Sequence, residues 1–224
     1  MESASDFTKE LASLIKKTFK THKRIIFNGN NYCNEWILEA KNRGLSNLST
    51  TADALPKLIT EKSIDLFTKH HVFSKEELHS RYEILMETYC KTINIESLTM
   101  LDIIKSEIIP ACFNYQRDLV DLVRQKKALS GTVSAGNLEI TPEDSLLGKI
   151  SKLSSLLYKN LNDLENALLE SKIDLDVTTQ GCFYRDNILP VMASLRIIID
   201  ELETIVTRKY WPYPVYGKML YSVI

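Results

Sequence analysis

The densest group of side chains that could bind a metal ion surrounds the start of a predicted helix near residue 75. Three histidines, His70, His71 and His79, occur close to Glu76 and Glu77. Imidazole nitrogens and carboxylate oxygens are common ligands of zinc and other divalent metals. The spacing contains no His-Glu-x-x-His pair, and acidic residues are frequent in the first turn of a helix. We therefore predict no metal site in this group.

Four acidic residues farther along the same stretch, Glu83, Glu87, Asp102 and Glu107, are the next candidates. Carboxylates can hold two iron ions inside a helical bundle, but such sites also use a histidine three residues after a glutamate, and none of these four precedes one. The serines and cysteines lack the glycine pattern of a nucleophile elbow. Residues 28–30 have neither the lysine nor the glycine spacing of a phosphate loop. The residues predict no catalytic, cofactor-binding or metal site.

A basic run, Lys16–Arg24, ends the first predicted helix. Positive side chains there oppose the negative end of the helix dipole. A solvated helix end is the favoured interpretation, and a phosphate-binding patch is the alternative. The formal net charge of −1 gives the chain no overall attraction to nucleic acid or acidic membranes. We expect neither as a partner.

The element that would position most of these residues is one very long helix, Ser74–Leu129. Its start has the signature of a capping box, with a hydroxyl at Ser74 and a carboxylate at Glu77. We expect Pro110 to kink this helix without ending it, because the apolar pattern continues in phase. Mostly apolar residues recur about every 3.6 residues, the period of a straight helix with one buried face: Leu78, Tyr82, Leu85, Tyr89, Ile93, Ser97, Met100, Ile104, Ile108, Ala111, Tyr115, Leu119, Leu122, Lys126 and Leu129.

The expected fold class is all-α, with the long kinked helix at the centre of an antiparallel helical bundle. Seven glycines in 224 residues are few for a nucleotide-binding α/β fold, which needs glycine-rich turns. A short connection between the second and third bundle helices favours antiparallel neighbours. The predicted regions are an N-terminal helical and irregular segment (1–73), the bundle (74–209, with helices 74–129, 141–171 and 182–209 and a loop 130–140) and an extended aromatic tail (210–224).

In the N-terminal segment, helices are predicted at 5–20 and at Asn34–Arg43, the second ended by Gly44. The run Arg24–Phe27 is strand-like. A single strand cannot satisfy its own backbone, so its partner lies either elsewhere in this chain or outside it. The polar segment 45–56 is expected to be irregular.

The C-terminal run Tyr210–Gly217 is rich in aromatic residues and contains two prolines that favour an extended course. We expect it to dock on its own chain, and binding to an aromatic-lined partner domain is the alternative. The four cysteines have no CxxC spacing and are interpreted as reduced thiols of a cytoplasmic protein. No apolar run is long enough to span a membrane.

Several uncommon motifs resemble, in the same order, the end of type III glutamine synthetases. The resemblance runs from about residue 10 to the C-terminus, and residues 129–181 are similar only as helix. The matching segments are Lys20–Trp36, Ala40–Leu48, Tyr89–Glu96, Ile108–Ala111, Phe183–Asp186 and Tyr210–Gly217.

The resemblance implies a glutamate–ammonia ligase that uses ATP with magnesium or manganese in nitrogen assimilation, built as a large cytosolic oligomer of rings. The family's β-rich catalytic portion, with its metal-binding glutamates and nucleotide site, lies upstream of the matched region. None of the family's catalytic, cofactor-binding or metal residues is therefore carried onto this chain. It would pack on that portion and on neighbouring subunits, as a fragment or a truncated product, and would be inactive alone. The strand-like run could then have its partner in the upstream portion. The alternative is an independent helical protein-interaction module of the same ancestry.

Overall fold

The computed structural model describes residues 4–130, 141–171, 176–214 and 216–221. The chain divides into two compact units, Met1–Ser49 and Thr50–Ile224. Within the described ranges every regular element is helical and no strand occurs. The all-α prediction is therefore confirmed. The predicted loop 130–140 lies outside the described residues, except for Ser130, which ends a helix.

The first unit contains two helices, α1 (Ala4–Thr21) and α2 (Asn34–Asn42). Gly44 has φ +67°, a left-handed conformation that glycine adopts without steric cost. The Leu45 N–H donates to the Ala40 carbonyl at 2.8 Å, which satisfies one of the last carbonyls of α2. The predicted glycine stop is confirmed.

The strand-like prediction for Arg24–Phe27 is wrong. Lys23–Ile25 forms a 3₁₀ turn, and the Ile26 N–H donates to the Lys23 carbonyl at 3.1 Å. The Ile26 carbonyl accepts a hydrogen bond from Arg43 Nη1 at 2.6 Å. A local turn and one guanidinium thus satisfy backbone groups for which the sequence suggested a neighbouring strand.

The second unit is built around a helix that begins at Lys75, as predicted. The Ser74 N–H donates to the Glu77 carboxylate at 2.7 Å, and the Glu77 N–H donates to the Ser74 hydroxyl at 3.2 Å, so the capping box forms. The segment expected to be irregular partly folds as α3. The helices of this unit are α3 (Thr51–Ala54), α4 (Glu61–Lys69), α5 (Lys75–Ile103), α6 (Ile109–Ser130), α7 (Thr141–Glu170), α8 (Val177–Phe183), α9 (Leu189–Ile205) and α10 (Tyr216–Tyr221).

Two π-helical turns carry the chain past its helix-internal prolines. Ile104–Ile108 joins α5 to α6 just before Pro110, and Tyr184–Ile188 joins α8 to α9 just before Pro190. Proline lacks a backbone N–H, and its ring clashes with the carbonyl four residues earlier. A turn that contains one extra residue relieves both problems, so the predicted long helix continues through Pro110.

Three long rods form the bundle, and cross-helix contacts define their directions. Lys126 pairs with Glu143, and Gln116 Nε2 donates to the Ser154 hydroxyl at 3.2 Å, so α7 runs antiparallel to α6. The Tyr82 hydroxyl lies 2.5 Å from that of Thr178 on α8. The rod of α8 and α9 runs parallel to α5 and α6, since the Ser97 hydroxyl also meets Met192, 3.1 Å away on α9. It is antiparallel to α7, as the short connection predicted.

The core lies between these rods. Its fully buried residues come from all three: Ile104, Cys112, Ile150, Leu157, Leu161, Leu164, Ile188, Leu195 and Leu202. Both polar exceptions in the predicted stripe find partners. The Ser97 hydroxyl donates to the Ile93 carbonyl at 2.7 Å, and Lys126 forms its ion pair with Glu143.

The predicted stripe is wrong at three positions, and the last of them, Leu129, is 53% exposed. Leu85 and Leu122 are exposed, whereas the next residues, Met86 and Val123, are buried. Adjacent apolar residues differ by only 100° around a helix, so the average period alone does not choose between them.

Gly181 was expected to end a turn before a helix starting at Cys182. Instead α8 begins at Val177, and the Asp176 carboxylate accepts hydrogen bonds from the Thr178 and Thr179 N–H groups. A Cβ at Gly181 would lie 2.5 Å from the sulfur of Met86, which is fully buried. This glycine therefore permits close packing of two helices rather than a turn.

The aromatic tail docks on this chain, as expected. Trp211 is buried in the core, with 8% of its surface exposed. The Tyr210 hydroxyl donates to Asp118 Oδ2 at 2.5 Å, and the Lys209 Nζ lies 3.4 Å from the same oxygen. Tyr216–Tyr221 forms α10, although an extended course was predicted, because no proline follows Pro214.

Gly181→Ala is expected to lower the free energy of unfolding by about 1–3 kcal/mol, because the added methyl overpacks the site beside Met86. Gly148→Ala is the matched control. Gly148 lies inside α7 with open space around it, so alanine is expected to stabilise the fold by about 0.5–1 kcal/mol. Urea unfolding followed by circular dichroism measures both, and stabilisation by Gly181→Ala would contradict the packing argument.

Trp211→Ala is expected to cost about 3–5 kcal/mol of unfolding free energy, because it empties a buried aromatic site. Tyr158→Ala, an exposed aromatic on α7, is expected to change it by no more than about 0.5 kcal/mol. The same urea titration applies. Equal small losses for the two variants would show that Trp211 is not part of the core.

The hydrogen bond from Tyr210, with Lys209 nearby, lowers the pKa of the Asp118 carboxyl. A carboxyl with a depressed folded-state pKa stabilises the fold above its unfolded pKa, and this contribution disappears as pH falls through the folded value. Asp118→Asn is therefore expected to be less stable than the unmodified chain at neutral pH, with the difference closing below about pH 4. Thermal unfolding at several pH values measures this difference, and a gap independent of pH would contradict the prediction.

Candidate interaction surfaces

The histidine and glutamate group near residue 75 serves the start of α5. Glu77 belongs to the capping box. The Glu76 carboxyl accepts hydrogen bonds from the Glu76 backbone and from the Ser74 hydroxyl, and these lower its pKa. His70 caps the end of α4. Across the described parts of the chain, no three histidine, cysteine, aspartate or glutamate side chains come together in a group that could hold a metal.

A polar cleft of about 490 Å³ lies beside α5 and α8. Two of its charges are already paired, because Lys91 Nζ donates to the Glu87 carboxylate at 2.7 Å. Burial raises the pKa of the Cys90 thiol, which also lines the cleft. A raised pKa favours the protonated thiol, which is a poor nucleophile. Asp102 and Glu107 do not line it.

The cysteines form no disulfide, and all four are free thiols. Burial raises the pKa of Cys112 to about 11, so its thiol stays protonated at neutral pH. Cys112 packs in the core and behaves there as a small apolar residue.

The segment Phe183–Asp186, one of the motifs that carry the resemblance, has a structural role. Arg185 on the second π-turn donates to the carboxylates of Asp53 and Asp186. These contacts raise the pKa of the Arg185 guanidinium and lower that of the Asp186 carboxyl. Because Asp53 lies on α3, the guanidinium ties the short N-terminal helices of the second unit to the bundle.

A second arginine orders the first unit. Besides Ile26, Arg43 contacts the Arg24 carbonyl at 3.3 Å, and its guanidinium lies 5.8 Å from the centre of the Phe27 ring. The Phe27 and Trp36 rings pack with centroids 4.6 Å apart. Side-chain contacts therefore hold the segment after α1 against α2.

The main exposed apolar surface of this unit is one side of α1, formed by Phe7, Leu11, Leu14, Ile15 and Phe19. Their spacing of four, three, one and four residues puts all five on one side of a helix, which we call the α1 apolar face. Each is between 43% and 68% exposed. Such a contiguous apolar stripe is typical of a protein interaction site.

The opposite side of α1 is charged, and the charges are unevenly distributed along it. Asp6 and Glu10 lie in the first half, together with Lys9. The run Lys16–Arg24 contains five lysine and arginine residues, a histidine and no acid. Any surface that covers this end of the helix is therefore favoured if it carries negative charge.

Burial in the first unit is slight. Among the described side chains of Met1–Ser49, only Ala40 is buried, and Ile37 and Leu38 of α2 are exposed in addition to the α1 apolar face. A unit this small rarely forms a sufficient core by itself. No described helix is long and apolar enough to cross a membrane. The described part of the first unit thus leaves most of its apolar side chains at least partly exposed.

The sequence of this chain is similar to those of several known proteins. Residues 10–127, which extend from α1 into α6, match the family model described as the glutamine synthetase C-terminal domain. The chain is 37% identical to a glutamine synthetase of Butyrivibrio fibrisolvens over 99% of this chain and 31% of that protein. It is 33% identical to a type-3 glutamine synthetase of Dictyostelium discoideum, over 93% of this chain and 28% of that one.

A glutamine synthetase of Bacteroides fragilis (strain YCH46) is 26% identical over 99% of this chain and 30% of its own length. The chain thus spans less than a third of the curated relatives it matches. The family model covers more than half of the 224 residues, and α5 with the first π-turn falls inside the match. This chain belongs to the glutamine synthetase C-terminal domain family.

Proposed function

We propose that this chain is the helical C-terminal region of a type III glutamine synthetase, which packs on the catalytic portion and stabilises the assembly without forming glutamine itself. The observation that carries the proposal is the pattern of coverage: nearly all of this chain matches less than a third of the Butyrivibrio fibrisolvens enzyme. The similarity to a protein named type-3 glutamine synthetase supports the type. The α1 apolar face supplies a surface suited to such packing.

The side chains of the described residues support the proposed inactivity. ATP-dependent ligation needs divalent cations to bridge the phosphates and groups to position the acyl acceptor. The described residues bring no three metal-ligating side chains together, and the Glu77 carboxylate at the start of α5 belongs to the capping box. These residues do not fit ATP with magnesium or manganese. The proposal assigns that chemistry to the catalytic portion of a full-length enzyme, in the cytoplasm and in an oligomer.

The second candidate is an independent helical interaction module of the same family. The observation that favours it is the second unit, whose core is closed by residues of its own rods and by Trp211. A unit with such a core can fold without a catalytic portion. The two candidates differ in the partner, because only the first requires the rest of a glutamine synthetase.

The isolated chain, supplied with glutamate, ammonia, ATP and magnesium or manganese, is expected to form no glutamine above the rate without protein. The Butyrivibrio fibrisolvens enzyme, assayed at the same molar concentration, is the positive control. Glutamine is measured by chromatography and phosphate release by a colorimetric assay. Glutamine formation that scales with the concentration of the chain would contradict the proposed division of roles.

A further inference from the structure

We propose that the polar cleft beside α5 and α8 binds a free α-amino acid whose side chain ends in a carboxamide. The carboxamide lies among neutral hydrogen-bonding groups at the bottom of the cleft. The α-carboxylate and α-ammonium groups lie near a lysine and a glutamate at its mouth. The inference goes beyond the proposed function, because the described residues that line the cleft all belong to the second unit of this chain and need no catalytic portion.

The cleft combines exposed charges with buried neutral groups. The side chains of Glu87 and Lys91 are 54% and 73% exposed, so they lie at its mouth. Ser171 and Tyr184 are only 2% and 4% exposed, so they lie at its bottom. The volume of about 490 Å³ falls within the range of about 300–1,000 Å³ that is usual for ligand pockets.

The polar groups at the bottom of the cleft are poorly satisfied by one another. The hydroxyls of Tyr184 and Ser171 are 3.4 Å apart, longer than the about 2.5–3.0 Å that is usual between two oxygens. The Ser171 hydroxyl already donates to the Leu168 carbonyl at 2.9 Å. Gln180 Nε2 lies 3.5 Å from the Ser171 carbonyl, which is also long. Buried polar groups normally have closer partners, so a ligand with both donors and acceptors fits these positions.

The neutral character of this region favours a carboxamide over a carboxylate. Asn94 and Gln180 each present an amide with donors and an acceptor, which matches the groups of a ligand carboxamide. Burial raises the pKa of the Cys90 thiol, as expected where the surroundings disfavour negative charge. The one cation among the described lining residues, Lys91, lies at the mouth. A carboxylate at the bottom would therefore lose water without gaining a positive partner.

The charges at the mouth match a zwitterion. Glu87, Lys91 and Asn94 lie on one face of α5, since their spacing is four and three residues. Seven residues of helix span about 10 Å, a length along which a small amino acid can lie. Exposed ion pairs such as that of Glu87 and Lys91 contribute little, so either side chain can turn to a ligand at small cost. Because these two charges cancel, a zwitterion fits better than a phosphate or a metal ion.

Isothermal titration calorimetry of the whole chain tests the proposal, with L-glutamine as the probe. Three further ligands separate its parts: L-glutamate has a carboxylate in place of the carboxamide, glycine lacks the side chain, and propionamide lacks the α-groups. We expect a dissociation constant below about 1 mM for glutamine and at least about tenfold weaker binding of each other ligand. No binding of glutamine at about 10 mM, or equal binding of glutamate, overturns the proposal.

Two variants and a matched control locate the site. Tyr184→Phe removes the buried hydroxyl and keeps the ring, so glutamine is expected to bind at least about fivefold more weakly. Tyr82→Phe removes the hydroxyl of another buried tyrosine, which lies 2.5 Å from that of Thr178 and is not among the described groups of the cleft. It is expected to leave the affinity unchanged. Lys91→Gln, at an exposed position that tolerates substitution, is expected to weaken binding as Tyr184→Phe does.

Circular dichroism verifies the folding of each variant before titration, and Lys91→Gln keeps the test decisive if Tyr184→Phe does not fold. Glutamine binding that Lys91→Gln leaves unchanged would place the bound molecule elsewhere and overturn the proposal. A loss of affinity in Tyr82→Phe equal to that in Tyr184→Phe would do the same, because it would reflect a general effect of removing a buried hydroxyl.

Discussion

Burial of one face of the helix that runs from Lys75 to Ser130 is the constraint on which the rest of the second unit depends. A helix of this length has far more apolar surface than it can shield alone, so it requires partners along its length. The leucine-rich face of α7 covers α6 from one side, and the rod of α8 and α9 covers α5 from another. Burial of apolar residues drives the packing of these helices. The polar contacts of Ser97, Gln116 and Lys126 between helices fix how far one helix is shifted along the next.

The two π-turns show how this packing tolerates proline. Pro110 and Pro190 each follow a π-turn by two residues, and the first and last residues of both turns, among them Ile104 and Ile188, are buried. The widened turn therefore lies within the core, where packing from neighbouring rods compensates for weaker helical geometry. Arg185 on the second π-turn anchors α3 through Asp53, so the same irregular turn also positions a separate element.

Local sequence signals were sufficient where one interaction decides the structure. The Ser74 capping box and the Gly44 stop could both be predicted, because each depends on residues within two helical turns. The Glu77 carboxylate, part of the acidic group near residue 75, is engaged in this capping box.

Other features depend on contacts between distant residues and were missed. Gly181 looks like a turn residue until Met86, far away in sequence, is placed against it. The Ile26 carbonyl accepts its hydrogen bond from the side chain of Arg43. The sequence pattern predicts backbone partners for a strand-like run and does not predict a side-chain partner. A helix at 5–20 was predicted, but the exposure of its apolar face could be seen only in the structure.

We infer an unequal stability of the two units, because the second folds around its own core whereas the first buries only Ala40 among its described side chains. Amide hydrogen exchange of the isolated chain, read out by mass spectrometry at peptide resolution, tests it most directly. The account predicts strong protection in α5, α7 and α9 and rapid exchange throughout α1. Protection of α1 equal to that of α5 in the monomeric chain would contradict it.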